Sequence, residues 1–329
     1  MTHVLVCGGA GYIGAQLAKV LAQSGCEVTV FDNLSTGHRA AVRWGALVEG
    51  DLRDRNALAR LFGVHCFDAV MHFGALSQVG ESVRMPLTYY ENNVTGSLNL
   101  LDAMHRAGVE RLVFSSTAAV YGTPQQPLID ESHPTWPINP YGASKLMVER
   151  MLEDAAQAHG LRSVALRYFN AAGADPDGET GEWHEPETHL IPNVLRRALG
   201  QGEALQVFGT DYDTRDGTCV RDYVHVHDLA QAHVLALDYL GGHAGAHRFN
   251  LGSGQGFSVM EVIEAARQVT GKPVPFDKAP RRAGDPPVLV ADAQRAKKEL
   301  GWQPRFDDMR IIVESAWRWH REPHYGQRR

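Results

Sequence analysis

The sequence predicts an α/β protein built on a doubly wound parallel sheet, and three observations lead there. Short apolar, β-rich runs alternate with helical stretches through the first half of the chain, which is the rhythm of βαβ units. Runs such as Val-Thr-Val-Phe and Arg-Leu-Val-Phe are apolar on successive residues, as expected of strands covered by helices on both faces. The first run leads into a glycine turn, Cys-Gly-Gly-Ala-Gly-Tyr-Ile-Gly at 7–14. Together these describe a Rossmann-type sheet with its ligands at the carboxyl ends of the strands.

Taken in order, 4–7 is read as a strand, 16–24 as a helix, 27–31 as a strand and 57–61 as a helix. Strand 69–72, helix 98–107 and strand 111–115 follow. Past residue 175 the chain turns polar, with Ala-Asp-Pro-Asp-Gly and Gly-Glu-Trp-His-Glu-Pro-Glu, clusters that mark loops rather than sheet. The segment 224–240 reads as an amphipathic helix and 249–252 as another strand, so the chain is expected to return to the large unit. The predicted organisation is discontinuous. Residues 1–175, with 222–252, form the Rossmann domain, and 176–221 with 253–329 form a smaller C-terminal α/β substrate domain.

A chain of 329 residues with 44% hydrophobic and 21% charged residues is ordinary for a soluble globular protein. The net charge of −6, without a basic block, argues against a nucleic-acid partner. Cys7, Cys26, Cys66 and Cys219 show no Cys-x-x-Cys spacing and read as reduced, structural thiols. The chain opens on a strand without a signal-like leader, and it has no uncharged apolar run of about 18 residues. A cytoplasmic protein without a membrane partner is expected.

Gly8, Gly11 and Gly14 have the spacing of a dinucleotide turn: one for the tight bend, one for backbone approach to a pyrophosphate, one for helix–strand packing. The amides of the following helix then face the phosphates. Asp32 ends the second strand, where a carboxylate takes the ribose hydroxyls and repels a 2′-phosphate, so NAD is expected over NADP. Asp51, at the third strand's end, either meets the adenine or caps the next helix.

Tyr141 and Lys145 stand four apart in a helical stretch and share a face. Many helices carry such a pair on an exposed surface. What distinguishes this one is the preceding run Phe114-Ser-Ser-Thr117, a strand ending in hydroxyls aimed at the cofactor. Hydroxyl, phenol and ammonium beside a nicotinamide make a carbonyl/alcohol redox site. The phenol's ordinary pKa near ~10 is too high for a base at neutral pH, and a nearby ammonium and the nicotinamide charge are expected to lower it.

These motifs, with Phe-Asp-Asn-Leu, Glu-Gly-Asp-Leu-Arg, Asn-Pro-Tyr-Gly-Ala-Ser-Lys, Leu-Arg-Tyr-Phe-Asn-Ala-Ala-Gly-Ala and Pro-Arg-Arg-Ala-Gly-Asp-Pro-Pro, resemble the extended short-chain dehydrogenase/reductase family along nearly the whole chain. Within it they resemble the NAD-dependent UDP-sugar 4-epimerases. The resemblance implies interconversion of UDP-galactose and UDP-glucose through transient oxidation at C4 with tightly bound NAD. It implies that Tyr141 is the catalytic base, that Lys145 holds the nicotinamide ribose, and that Thr117 bonds the sugar 4-hydroxyl. Cofactor contacts are implied from Tyr12, Ile13, Asn33, Asp51, Leu52, Phe73, Asn92, Tyr141, Lys145 and Tyr168, beside Gly8, Gly11, Gly14 and Asp32. For the UDP-sugar it implies Thr117, Tyr141, Asn170, Leu190, Phe208, Arg221, Arg282 and Asp285, and it implies a homodimer. Two arginines suit a diphosphate, and a carboxylate suits the uridine ribose.

Thr117 stands where the family often has Ser, and it supplies the same hydroxyl. Ser77 replaces a cofactor-contacting Lys of some members, and Leu289 a Tyr that closes the sugar pocket in some. A smaller Leu289 leaves room for a 2-acetamido group, so UDP-GlcNAc/UDP-GalNAc and UDP-pentoses stay open as substrates. A nucleotide-sugar dehydratase is disfavoured because Ala118-Ala119, not an Asp-Glu pair, follows Thr117. A non-catalytic NAD-binding protein would have no use for Thr117, Tyr141 and Lys145 together. His225 and His227 alternate on a strand without a carboxylate or Cys at ligand spacing, and with His184 and His189 also nearby in sequence no metal is expected. Trp317, Trp319 and His320 are read as packing at a C-terminal helix.

Overall fold

Seven strands form one sheet in the computed structural model, which describes residues 1–202, 204–282 and 285–326. They are β1 (His3–Cys7), β2 (Glu27–Asp32), β3 (Ala46–Glu49), β4 (Ala69–His72), β5 (Arg111–Thr117), β6 (Arg162–Tyr168) and β7 (Ala246–Leu251). Their spatial order is β7–β6–β5–β4–β1–β2–β3, with every neighbouring pair parallel. The winding reverses at β1: the chain runs outward through β2 and β3, then crosses to β4 on the other side. Cys7 pairs with both Phe31 and His72, so the carboxyl ends of β1, β2 and β4 lie level around the switch point where such sheets bind ligands.

The missing polar alternation in these strands has a direct cause. Val4 and Val6 pack with Leu17, Val20 and Leu21 on one face of the sheet, while Leu5 and Cys7 pack with Leu58, Leu100 and Leu112 on the other. These four residues of β1 are fully buried.

The first helix, α1, spans Tyr12–Gln23 and begins four residues before the expected start. Helix α2 (Arg55–Val64) is capped by Asp54, whose side chain accepts from the amides of Asn56 and Ala57, so the cap is not Asp51. Helices α3 (Gly96–Ala107) and α4 (Pro140–His159) follow. Asn139 caps α4, Pro140 preorganises its first turn, and Gly160 ends it at φ 72°. Beyond β6 come α5 (Leu190–Ala198), α6 (Val226–Tyr239), α7 (Val259–Thr270) and α8 (Met309–Arg321).

The helix expected from 224 starts at Val226, because Tyr223–His225 pairs as a strand with Asn170–Ala172 and the His225 ring accepts the His227 amide. Helices α5, α7 and α8 enclose a second apolar core that includes Ile191, Val194, Val262, Ile263, Ile312 and Val313. A small sheet places Val220–Arg221 between Phe257–Ser258 and Val288–Ala291, with Leu128–Ile129 at its edge. Trp319 and His320 are buried and Trp317 packs against the second core, as the packing reading requires. The four cysteines are unpaired. Among the described residues no helix is long and apolar enough to cross a membrane.

Candidate active site

The glycine turn has three different geometries for its three glycines. Gly8 lies at φ +78°, and a Cβ there would sit 2.6 Å from the Gly74 amide nitrogen. A Cβ on Gly14 would lie 2.3 Å from the Gly8 carbonyl oxygen, so this glycine permits helix and strand to touch. Gly11, the residue before α1, would meet only the Gly8 carbonyl oxygen, at 3.4 Å. Its outer side is the cradle a side chain would fill and a pyrophosphate can enter, with the first amides of α1 pointing at it. The Asp32 carboxylate accepts from the Ala10 amide at 2.9 Å and the Leu34 amide at 2.8 Å, tying the glycine turn to the end of β2. These groups fit a dinucleotide.

Around the same rim, Asn33 donates to Asp51 at 2.8 Å, and the Arg53 guanidinium holds the Asp51 carboxyl well below the usual carboxylate range. Asp51 is thus gathered with Asn33 at the ends of β2 and β3. Leu52 packs beneath Gly74 and Gly96, Ile13 borders the core under α1, and Phe73 follows β4. His233 of α6 lies 4.7 Å from the Phe73 ring and 6.3 Å from that of Tyr168, so Phe73 and Tyr168 line neighbouring parts of one surface. Tyr12 differs from a residue facing only the cofactor: its hydroxyl donates to the Gly173 carbonyl at 2.6 Å, and its phenol is pushed up by burial and by Glu182. Asn92 donates to Asn93, and Asn93 in turn fastens Leu76 and the Ser144 hydroxyl of α4. These two asparagines belong to a π-helical turn at Tyr90–Thr95, a distortion often found at functional sites.

Strand β5 runs two residues past its expected end and delivers Thr117 to helix α4. The Thr117 hydroxyl stands beside the Tyr141 phenol and accepts the Ala119 amide at 3.2 Å. Lys145, 2% exposed, donates to the Ser115 carbonyl at 2.7 Å and lies 4.7 Å over the Phe114 ring. The Tyr168 hydroxyl meets Ser115 Oγ.

The expected electrostatics need correction. Burial pushes the Tyr141 phenol up, and the neighbouring Thr117 hydroxyl only partly offsets this. Burial also pushes the Lys145 ammonium down to about 7. Its Nζ is 6.0 Å from the Tyr141 ring centre and is committed to a backbone carbonyl. In the protein alone the phenol is therefore held neutral.

Behind this wall lies a buried network that sequence reasoning missed. Arg167 is fully buried and donates to Glu149 from Nε at 3.0 Å and to the Tyr121 hydroxyl from Nη1 at 3.0 Å. Ser116 donates to the same Glu149, and Tyr121 donates to Asn250 at 2.6 Å. Glu149 was within reach of the sequence: Tyr141, Lys145 and Glu149 form an i, i+4, i+8 stripe on α4. Asp222 was also missed. It is completely buried and accepts from the Ser253 amide and hydroxyl, both at 2.7 Å, and from the Gly254 and Ala291 amides, both at 3.1 Å.

The residues assigned to the nucleotide sugar fall into two groups. Arg221 pairs with Asp285 at 2.6 Å, and the Arg282 guanidinium lies 3.9 Å over the Phe208 ring, so these four form a charged and aromatic wall. Asn170 donates to the Asp222 carbonyl at 2.8 Å, next to Arg221, and Leu190 is the first residue of α5. Leu289 pairs in register with Arg221 and packs against the cluster containing Ala118, Val120 and Tyr121. Arg221, matched to the diphosphate, has Asp285 as its ion-pair partner in this structure.

Among the histidines, His225 meets Ser315 and His227 meets Gln16, so this pair does not converge. His184 and His189 do converge, and two carboxylates stand with them, Glu182 and Glu187. The sequence carries this grouping as Glu-x-His-x-x-Glu-x-His at 182–189, a spacing the sequence reading did not weigh.

Comparison with known proteins agrees with this geometry. The NAD dependent epimerase/dehydratase family matches residues 4–252. A UDP-glucose 4-epimerase of Halalkalibacterium halodurans is 52% identical over 323 residues, covering 98% of this chain and 97% of the relative. A crystal structure of UDP-glucose 4-epimerase superposes with a TM-score of 0.97 at 50% identity over 100% of both chains. That of UDP-glucose 4-epimerase from Brucella ovis in complex with NAD gives 0.95 at 49% identity over 99% of both. With a parallel seven-stranded sheet, a dinucleotide turn and relatives alike over their full length, the chain belongs to the NAD dependent epimerase/dehydratase family.

Proposed function

We propose that this protein catalyses the UDP-glucose 4-epimerase reaction, interconverting UDP-galactose and UDP-glucose with NAD retained through turnover. The observation that carries the reading is the meeting of Thr117 on β5 with Tyr141 on α4, beside a Lys145 fixed to β5, without an acidic residue at 118–119. A dehydratase needs that acid to eliminate water.

When bound, NAD accepts a hydride from C4 of the sugar and returns it to the opposite face. Thr117 and Tyr141 hold the 4-hydroxyl. Tyr141 takes its proton as C4 is oxidised and gives it back to the 4-keto sugar as C4 is reduced, while Lys145 holds the nicotinamide ribose. Because burial holds the Tyr141 phenol neutral in the protein alone, the charge that favours phenolate has to come with the cofactor. Gly8, Gly11, Gly14, Asp32 and the rim residues Tyr12, Ile13, Asn33, Asp51, Leu52, Phe73, Asn92 and Tyr168 are assigned to the dinucleotide. Arg221, Arg282, Asp285, Phe208, Asn170 and Leu190 are assigned to UDP. Firm holding of UDP and loose holding of the hexose let the sugar turn over between the two hydride transfers.

This assignment divides the chain as 1–175 with 222–252 for the cofactor, and 176–221 with 253–329 for the nucleotide sugar. A cytoplasmic homodimer is proposed with it. Val83, Leu87, Leu98 and Met147, which lie on neighbouring helical segments of the large unit, are 61%, 81%, 47% and 46% exposed, and such apolar surface favours pairing with a second copy. Light scattering on Leu87→Glu, expected to give monomers, checks the dimer.

The function is tested by incubating the purified protein with UDP-galactose without added cofactor. UDP-glucose should form with no net NADH absorbance. A requirement for stoichiometric NAD with NADH build-up would replace an epimerase by a dehydrogenase.

A further inference from the structure

We infer that Glu182, His184, Glu187 and His189 form a structural site for a divalent transition ion, Zn2+ by the chemistry of the set, outside the site of sugar oxidation. One ligand atom from each residue lies within 4.8 Å of the other three. His189 Nδ1 is 2.9 Å from Glu182 Oε1 and 2.8 Å from Glu187 Oε1. His184 Nδ1 is 3.3 Å from Glu182 Oε1 and 3.7 Å from Glu187 Oε2. Two ligands of a tetrahedral ion, each ~2.0–2.1 Å from the metal, stand about 3.3 Å apart, and the four separations bracket that value. Two imidazoles and two carboxylates form a neutral complex with one divalent ion, and mixed nitrogen and oxygen donors suit Zn2+ better than Mg2+ or Ca2+.

The second observation is a pair of buried atoms that have only loose ion-pair contacts within the set and no well-formed hydrogen bond. His184 Nδ1 and Glu187 Oε2 are buried without a hydrogen-bond partner among the described residues, although the Glu187 side chain is only 1% exposed. Leaving two such atoms unsatisfied is costly, and both face the centre of the four-residue set. The rest of the cluster is built to support ligation. Glu187 Oε1 accepts the Thr188 amide at 2.8 Å and the His189 amide at 2.9 Å, and Asn193 reaches the Glu187 carbonyl at 3.4 Å. Such contacts orient metal ligands.

A contrast within the molecule sharpens the point. Asp175, Asp177 and Glu179 also cluster, but Lys19 Nζ reaches all three at 2.7, 2.7 and 2.8 Å and serves as their cation. At 182–189 no lysine or arginine is paired with Glu182 or Glu187 among the described residues, and the two carboxylates face the imidazoles of His184 and His189 instead. An ion there would fasten the 182–189 segment to the first turn of α5, the turn that begins at Leu190.

The test uses the intact protein purified without chelator and its metal content by mass spectrometry. About one zinc per chain is expected, as for a closed structural site. After stripping with a chelator, ZnCl2 alone should restore the content and raise Tm by a few degrees, because the ion binds the folded state. Co2+ in its place should give the strong visible absorption of a tetrahedral site. The double variant His184→Ala/His189→Ala should bind Zn2+ at least about tenfold more weakly, whereas Asp177→Asn in the lysine-filled cluster should bind it like the parent. The proposal is overturned if the parent holds less than about a tenth of an ion and shows no thermal response to ZnCl2. Equal Zn2+ affinity in the double variant would also overturn it, and the parent measurement decides the matter even where that variant fails to fold.

Discussion

The two walls of the proposed pocket are built in opposite ways. The wall made by β5 and α4 is fixed by buried contacts: Lys145 is committed to the Ser115 carbonyl, and Glu149 of α4 is tied from behind to Ser116 of β5 and Arg167 of β6. The opposite wall is made of side chains that satisfy one another, Arg221 with Asp285 and Arg282 with Phe208. Chemistry on the first wall demands preorganisation, because proton and hydride positions tolerate little error. Recognition on the second allows exchange: a diphosphate competes for a guanidinium already neutralised by a carboxylate, so its binding gain is the difference between two ion pairs.

The largest effects should come from breaking the rigid wall. Tyr141→Phe is expected to lower kcat by about 10²–10⁴-fold while bound NAD, measured by release on denaturation, stays at the parental level. Arg167→Met should cost about 3–5 kcal/mol of stability in denaturant titration, since it strands the Glu149 carboxylate in the core. Adding Glu149→Gln to it should recover much of that loss, and no recovery would mean that Arg167 acts through packing alone.

The soft wall should respond in binding. Arg221→Ala and Arg282→Ala are each expected to raise KM for UDP-galactose by about 10–100-fold with a smaller change in kcat. Equal falls in kcat would make the two walls mechanically alike.

Lys145 offers a test by pH. Burial lowers its folded value to about 7, against an unfolded value near ~10.4. Between these values the unfolded chain binds the extra proton, so this group makes the cofactor-free protein more stable as pH rises through that window. In thermal melts, the stability of Lys145→Met relative to the parent should therefore fall from about pH 7 to about pH 10. A difference flat in pH would show that the lysine keeps its charge in the fold. The smallest effect is reserved for Leu289, where Leu289→Tyr should lower the ratio of UDP-GlcNAc to UDP-galactose turnover by about tenfold.

The rigid wall and the glycine turn were legible because their demands are local. The positive φ at Gly8, the close contact at Gly14 and the four-residue spacing of Tyr141 and Lys145 are all written within one element or its flanks. What stayed hidden depended on residues far apart in the chain. Arg167 and Glu149 lie on different elements, and Asp222 holds residues some 31 and 69 positions away. Asp51 was left open between the adenine and a helix cap, and the backbone path decides against the cap: Asp54 reaches the first amides of α2 while Asp51 turns to Asn33. The expectation for Tyr141 counted on the nicotinamide charge as well as on Lys145, and in the protein alone burial outweighs the rest while Lys145 is held by the Ser115 carbonyl.

Helix α1 carries one more consequence. Its outer side is clasped by the segment after Gly173: Tyr12 donates to the Gly173 carbonyl, Gln16 to Asp175, and Lys19 bridges three carboxylates. A dinucleotide seated at the amino end of this helix cannot loosen the helix without also prying open that clasp. Opening that end of the helix would cost the clasp's own contacts as well as those to the dinucleotide, an arrangement suited to a redox carrier that is reset within each catalytic cycle.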